Sequence, residues 1–138
     1  MNSKKPRGIR NNNPLNIRVG NSWLGEVQYP TDSVFEQFSE MKWGVRAAFI
    51  ILRNYMLRYN LRTIPEIVSR WAPKSENNTL NYIKLVSKNS GFDTSHRFDW
   101  YNQKEMFALF QAMCIVENGV PITTQEIAEG YQLAFGLK

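Results

Sequence analysis

A chain of 138 residues fits one domain of ordinary size with a real hydrophobic core, which argues against two independent domains. Seventeen Lys and Arg against twelve Asp and Glu leave a net charge of +5, so a charged partner is expected to be anionic: nucleic acid, acidic lipid or bacterial cell wall. A 43% apolar and 13% aromatic composition excludes a disordered chain, no apolar run approaches the roughly 20 residues of a membrane span, and the lone Cys114 excludes an internal disulfide.

Residues 1–8 hold Lys4, Lys5, Pro6, Arg7 and Gly8 with almost nothing apolar, the composition of a flexible basic tail, and a single domain is expected over 9–138. The start Met1-Asn-Ser-Lys-Lys-Pro has no apolar stretch behind its basic residues, so no secretion signal is expected. From Ile9 to Asp32 turn formers crowd the chain: Asn11-Asn12-Asn13-Pro14, Gly20-Asn21 and Gly25. Val19, Trp23, Val27 and Tyr29 are expected on a small β-hairpin lobe, and Val34 to Phe38 as a brief extended segment.

The remainder reads as helix. Val45, Ala48, Phe49, Leu52 and Met56 recur at three- and four-residue spacing, which predicts an amphipathic helix over 41–59. Thr63-Ile-Pro-Glu66 combines a capping hydroxyl, an early proline and a carboxylate three residues on, so a short helix starts there and ends before Pro73. Asn78 or Thr79 is expected to cap a third helix through Leu80, Ile83 and Val86 that Gly91 terminates. Asn102 with Glu105 opens a helix apolar nearly all round, which belongs at the centre of the domain and stops at Glu117-Asn118-Gly119. Thr123 and Glu126 cap a last helix through Ile127, Tyr131 and Phe135. The expected fold class is mainly α (α+β), a helical domain with the hairpin lobe near its N-terminus.

Inventory narrows the chemistry. There is no glycine-rich phosphate loop, no cysteine pair and no histidine cluster, so no cofactor and no metal are expected, and His96 is expected as a loop residue. Carboxylate chemistry remains. Glu117 closes the most apolar helix, where burial and the negative helix end would both raise its pKa, as a general acid requires; as a bare residue it is equally an exposed helix end before a glycine stop. The Asn11 to Asn16 cluster is either a turn network or a sugar-binding rim. Trp71, ahead of a loop containing Glu76 and Asn77, is either a core residue or a stacking platform.

Arg7-Gly-Ile-Arg-Asn-Asn-Asn-Pro-Leu-Asn-Ile-Arg18, Phe35-Glu-Gln-Phe38, Gly44-Val-Arg-Ala-Ala48, Thr63-Ile-Pro-Glu-Ile67 and Trp71-Ala-Pro-Lys-Ser-Glu-Asn-Asn-Thr79 resemble a family of small phage and prophage proteins described as virion structural or lysozyme-like. The same landmarks more distantly resemble lysozyme-like glucosaminidases and lytic transglycosylases, in which a long apolar helix ending in a catalytic Glu precedes an Asn-Asn segment, a Phe-x-x-Tyr, an aromatic-Ala loop and an Asn-Tyr pair. Asn12-Asn13, Asn16-Ile17, Phe35 and Phe38, Trp71-Ala72 and Asn81-Tyr82 match these in order. The helix with its Glu is missing from the front and resembles Ala112-Met-Cys-Ile-Val-Glu117 at the other end, which implies a circular permutation that brings Glu117 and the Asn loop together.

This resemblance implies a lysozyme-like fold, bacterial peptidoglycan as substrate, and cleavage of its glycan strand with Glu117 as general acid and base. It implies a rim of Asn12, Asn13, Asn16, Trp71, Glu76, Asn77 and Tyr82. A hydrolase needs a second carboxylate about 5–9.5 Å from the first, with Glu26 the first candidate and Asp32 and Glu36 behind it; a transglycosylase works with one Glu. Expected partners are the peptidoglycan and phage virion proteins, with the chain itself a monomer. Made in the bacterial cytoplasm, it would reach the wall by a virion, a lysis pore or a secretion machine. The rival reading is a non-catalytic virion structural or wall-binding protein. A nucleic-acid module, suggested by Lys4, Lys5, Arg7, Arg10 and Arg18, is disfavoured because the other basic residues are scattered.

Overall fold

A computed structural model describes residues 5–73 and 76–136. Among them lie six helices: α1 (Arg7–Arg10), α2 (Met41–Tyr59), α3 (Ile64–Trp71), α4 (Glu76–Ser90), α5 (Gln103–Asn118) and α6 (Thr124–Phe135). The fold is mainly α, and among the described residues no helix is long and apolar enough to cross a membrane.

Local chemistry sets the helix ends. Thr63 and Thr123 each accept a hydrogen bond from the backbone N–H of the glutamate three residues on, and Glu66 and Glu126 accept from the two threonine amides in return. Asn102 caps α5 through Glu105 N–H, and Gly119 ends it in a left-handed turn at φ 77°. Helix α4 starts at Glu76, ahead of the expected Asn78 or Thr79 cap; the Thr79 hydroxyl instead donates back to the Ala72 carbonyl at 2.7 Å, tying α4 to the end of α3.

Helix α2 packs along α6 and α5 along α4, around a core that includes Val45, Phe49, Leu52, Met56, Met106, Leu109, Phe110 and Met113, all fully buried. The Phe49 ring lies 4.7 Å from Phe110 and 5.1 Å from Tyr131, so an aromatic cluster joins α2, α5 and α6. Such pairs add about 0.5–1.5 kcal/mol each beyond the area they bury.

The expected hairpin lobe is corrected. Residues 11–40 form no strand, only two isolated antiparallel bridges, Arg18 with Phe35 and Glu26 with Phe38. Gly20 and Gly25 hold positive φ and side chains take over the work of a ladder. Gln37 accepts from the Thr31 amide and donates to Asn11, while Asp32 accepts from the amides of Val34 and Phe35. Tyr29 and Val19, expected on the lobe, are largely exposed.

The expected tail boundary also moves. Arg7 and Gly8 belong to α1; Gly8 is buried, and Arg7 grips Asp32 with two nitrogens at 2.7 and 2.8 Å. Lys4 lies outside the described residues. The body therefore begins ahead of Ile9, because a bidentate ion pair and a close backbone contact hold a segment whose composition alone reads as solvated.

Candidate functional site

The Asn-rich turn is packed onto α2 at a glycine. A Cβ on Gly44 would stand 1.9 Å from the Asn12 carbonyl oxygen, so only a glycine lets the turn lie this close. The buried Asn13 amide group donates to the carbonyls of Ile17 and Glu36, and its oxygen accepts from Ile17 N–H. Asn12, with φ 53°, donates to the Phe38 carbonyl. Both were expected on a ligand rim; instead their amides close the turn, and neither lines the cleft described next.

The turn meets the end of α5. Asn118 donates to the Pro14 carbonyl at 2.8 Å, and its side-chain oxygen leaves no room for a Cβ on Gly8, so α1, the turn and α5 converge. One residue earlier, Glu117 accepts from Asn16 Nδ2 at 2.7 Å and from the Tyr82 hydroxyl of α4 at 2.9 Å. Two segments 101 residues apart thus share one hydrogen bond.

Glu117 lines an open cleft of about 460 Å³ with Asn16, Arg18, Phe35, Arg70 and Trp71 among the other walls. The Trp71 indole donates to the Leu15 carbonyl at 3.0 Å and stands edge-on to Tyr55, so this ring both braces the Asn turn and faces the cleft. Burial raises the Glu117 pKa, and the hydrogen bonds from Asn16 and Tyr82 pull it partly back. Burial, then the neighbouring Glu117, pushes the Tyr82 phenol well above its ordinary value, so it stays a donor. The Cys114 thiol, one turn below, is raised to about 11, by burial first. It is an inert neutral thiol rather than a nucleophile.

None of the candidate second carboxylates, Glu26, Asp32 and Glu36, lines this cleft. Glu117 is the only carboxylate lining this cleft among the described residues. Glu26 accepts from the Trp23 amide and sits beside Glu36, whose carboxyl is pushed up to about 7 by burial and then by Glu26 itself. Asp32 is held well below the usual carboxylate range, first by Arg7, and is fully engaged by Arg7, Asn11 and two amides. These three carboxylates staple the 18–38 segment. Glu76 and Asn77 open α4, but their side chains lie outside the described residues. His96 pairs with Glu105 at 2.8 Å between the rings of Phe92 and Phe98, a structural placement.

Arg18, Phe35 and Arg70 are cleft residues: sequence reasoning named Arg18 only among the basic residues that suggest nucleic acid and Phe35 only as a family landmark, and it passed over Arg70. The available signals were their positions, two residues past Asn16 and immediately before Trp71. Among the described residues no group of His, Cys, Asp and Glu is placed to hold a metal ion.

No family model matches the chain. It is 40% identical over 134 residues to Protein P5 of Pseudoalteromonas phage PM2, a match that spans 94% of this chain and 82% of that protein.

Proposed function

We propose, from the premise that the chain belongs to the family of Protein P5 of Pseudoalteromonas phage PM2, that it is a phage virion protein whose cleft engages the glycan strand of peptidoglycan, with Glu117 as the acid that cleaves it. The kinship supports the phage setting whether or not the chain turns over substrate. The chemical half of the reading rests on one observation: a buried carboxyl, its pKa raised, fixed by Asn16 and Tyr82 on the wall of a cleft that also carries Trp71.

The geometry suits general acid catalysis. A carboxyl whose pKa burial raises can give its proton to a glycosidic oxygen as the bond to C1 breaks, and Asn16 and Tyr82 are placed to stabilise the carboxylate that results. With no second carboxylate on the cleft among the described residues, the step that fits is transglycosylation: Glu117 then takes the proton of the sugar's own C6 hydroxyl as that oxygen closes onto C1. Water in place of that hydroxyl would give hydrolysis. The permuted, lysozyme-like order of elements is part of this proposal and is supported by the Asn16 to Glu117 contact.

A second reading, a non-catalytic virion component that grips the wall, is favoured by the phage kinship and by the same missing partner carboxylate. Mass spectrometry of muropeptides released from purified peptidoglycan separates the two. The expected result is anhydro-ended products from the wild type and none from Glu117→Gln. Folded wild-type protein that co-sediments with sacculi yet releases nothing would establish the second reading instead.

A further inference from the structure

Two guanidinium groups stand in the same cleft as Glu117. Arg18 comes from the segment that follows the Asn turn and Arg70 from the last turn of α3. Each is oriented by an aromatic face, Arg18 over Phe35 at 5.3 Å and Arg70 over Tyr59 at 4.1 Å, so the planar forks are held before any ligand arrives. Neither takes part in an ion pair among the described residues, whereas Arg7 and Arg62 both do. The Glu117 carboxyl is held by the donors Asn16 and Tyr82 rather than by either guanidinium. The cleft therefore carries two positive charges that are packed on aromatic rings but paired with no carboxylate among the described residues. A neutral sugar chain offers these guanidiniums hydroxyl acceptors but no opposite charge.

Resting on the glycan reading above, we propose that Arg18 and Arg70 form an anion-recognition pair for carboxylates borne by the substrate, so that the cleft selects a glycan carrying lactyl-linked peptides with free carboxylates over an uncharged chitin-type glycan. An Arg fork matches a carboxylate in two parallel hydrogen bonds, and two such forks beside one scissile position read substituents rather than the sugar backbone.

The test uses the full-length Glu117→Gln protein, which binds without cutting, and isothermal titration at low salt with three probes. These are a peptidoglycan tetrasaccharide with free stem carboxylates, a chitin tetrasaccharide and a single-stranded oligonucleotide. The expected result is a preference of roughly tenfold or more for the peptidoglycan fragment over chitin, weakened by salt. Replacing both exposed arginines, Arg18→Gln with Arg70→Gln, should bring that ratio towards one. Equal affinity for the two sugars, or a preference that survives the double replacement, overturns the proposal and leaves the glycan reading standing. Binding of neither sugar overturns both. Tighter binding of the oligonucleotide than of either sugar, lost with the same arginines, would reassign the pair to a phosphodiester polymer.

Discussion

The Tyr82 hydroxyl offers the sharpest test of how the Glu117 site is built. Tyr82→Phe deletes a single oxygen, one that donates to Glu117 at 2.9 Å, and leaves the ring where it packs. A hydrogen bond to a charged group is worth about 1.5–3 kcal/mol and one between neutral groups about 0.5–1.5 kcal/mol, so the loss depends on whether Glu117 is ionised. The folded pKa of Glu117 lies above its ordinary 4.5 because burial outweighs its two donors. For a carboxyl shifted in that direction, the stabilising contribution is complete at pH below the unfolded value and is lost as pH rises through the folded one. Removing a donor raises the folded pKa further, so wild type and Tyr82→Phe should diverge as pH rises: about 0.5–1.5 kcal/mol apart in acid, about 1.5–3 kcal/mol apart in mild alkali. In a Glu117→Gln background the same deletion should cost about 0.5–1.5 kcal/mol at every pH, since no charge is left to stabilise. Urea denaturation of the four proteins across the pH range measures this directly. A loss that is flat with pH, or equal in both backgrounds, would refute the claim that Tyr82 holds a carboxylate.

Gly44→Ala should destabilise the protein although alanine is the better helix former by about 1 kcal/mol. The new Cβ would meet the Asn12 carbonyl oxygen at 1.9 Å, and overpacking of about 1–3 kcal/mol or more should win, lowering Tm by roughly 5–10 °C; an unchanged or higher Tm would mean that the turn yields. Glu36, raised to about 7 by burial and by Glu26, gives a second pH signature: stability should decline from the ordinary 4.5 up to about 7 and then level off. Glu36→Gln should flatten that part of the urea-derived stability profile, and an unaltered slope would locate the titration elsewhere.

The helices after residue 40 were legible, save for the start of α4, because their ends are written in single residues, whereas the short α1 was read as tail and turn. Thr63 with Glu66, Thr123 with Glu126, Gly91 and Gly119 each act within one turn, and that range is what a sequence displays. Glu117 was legible for a related reason, as a lone carboxylate closing the most apolar helix. The hairpin was misread because alternating Val, Trp and Tyr residues say nothing of side chains such as Asn13, Gln37 and Asp32 that satisfy the backbone in place of a partner strand. Asn12, Asn13 and Asn16 are alike in composition, and only their facing partners separate two turn-builders from the one that touches Glu117. The surroundings of Glu26 were hidden on the same ground, since which way a loop carboxylate turns is decided by Trp23 and Glu36 rather than by spacing. Arg18 was read only as one of several basic residues near the N-terminus, and its pairing with Arg70 came into view when segments 52 residues apart closed one cleft.

The choice of a carboxyl at position 117 carries an argument of its own. If the residue served only to hold the Asn turn against α5, an amide would do as well: a glutamine oxygen can accept from Asn16, and the Tyr82 hydroxyl can accept from its nitrogen. That arrangement would bury no charge. A carboxyl there instead has its ionised form opposed by burial, a cost to stability that grows as pH rises and that the packing of Asn118 on Pro14 does not require. The structural work at the end of α5 is already done by Asn118 and by the close contact with Gly8. What the carboxyl adds beyond an amide is a proton that can be given up and taken back, and it adds it on the wall of an open cleft. Position 117 thus supports the acid reading by the property that the fold itself does not need.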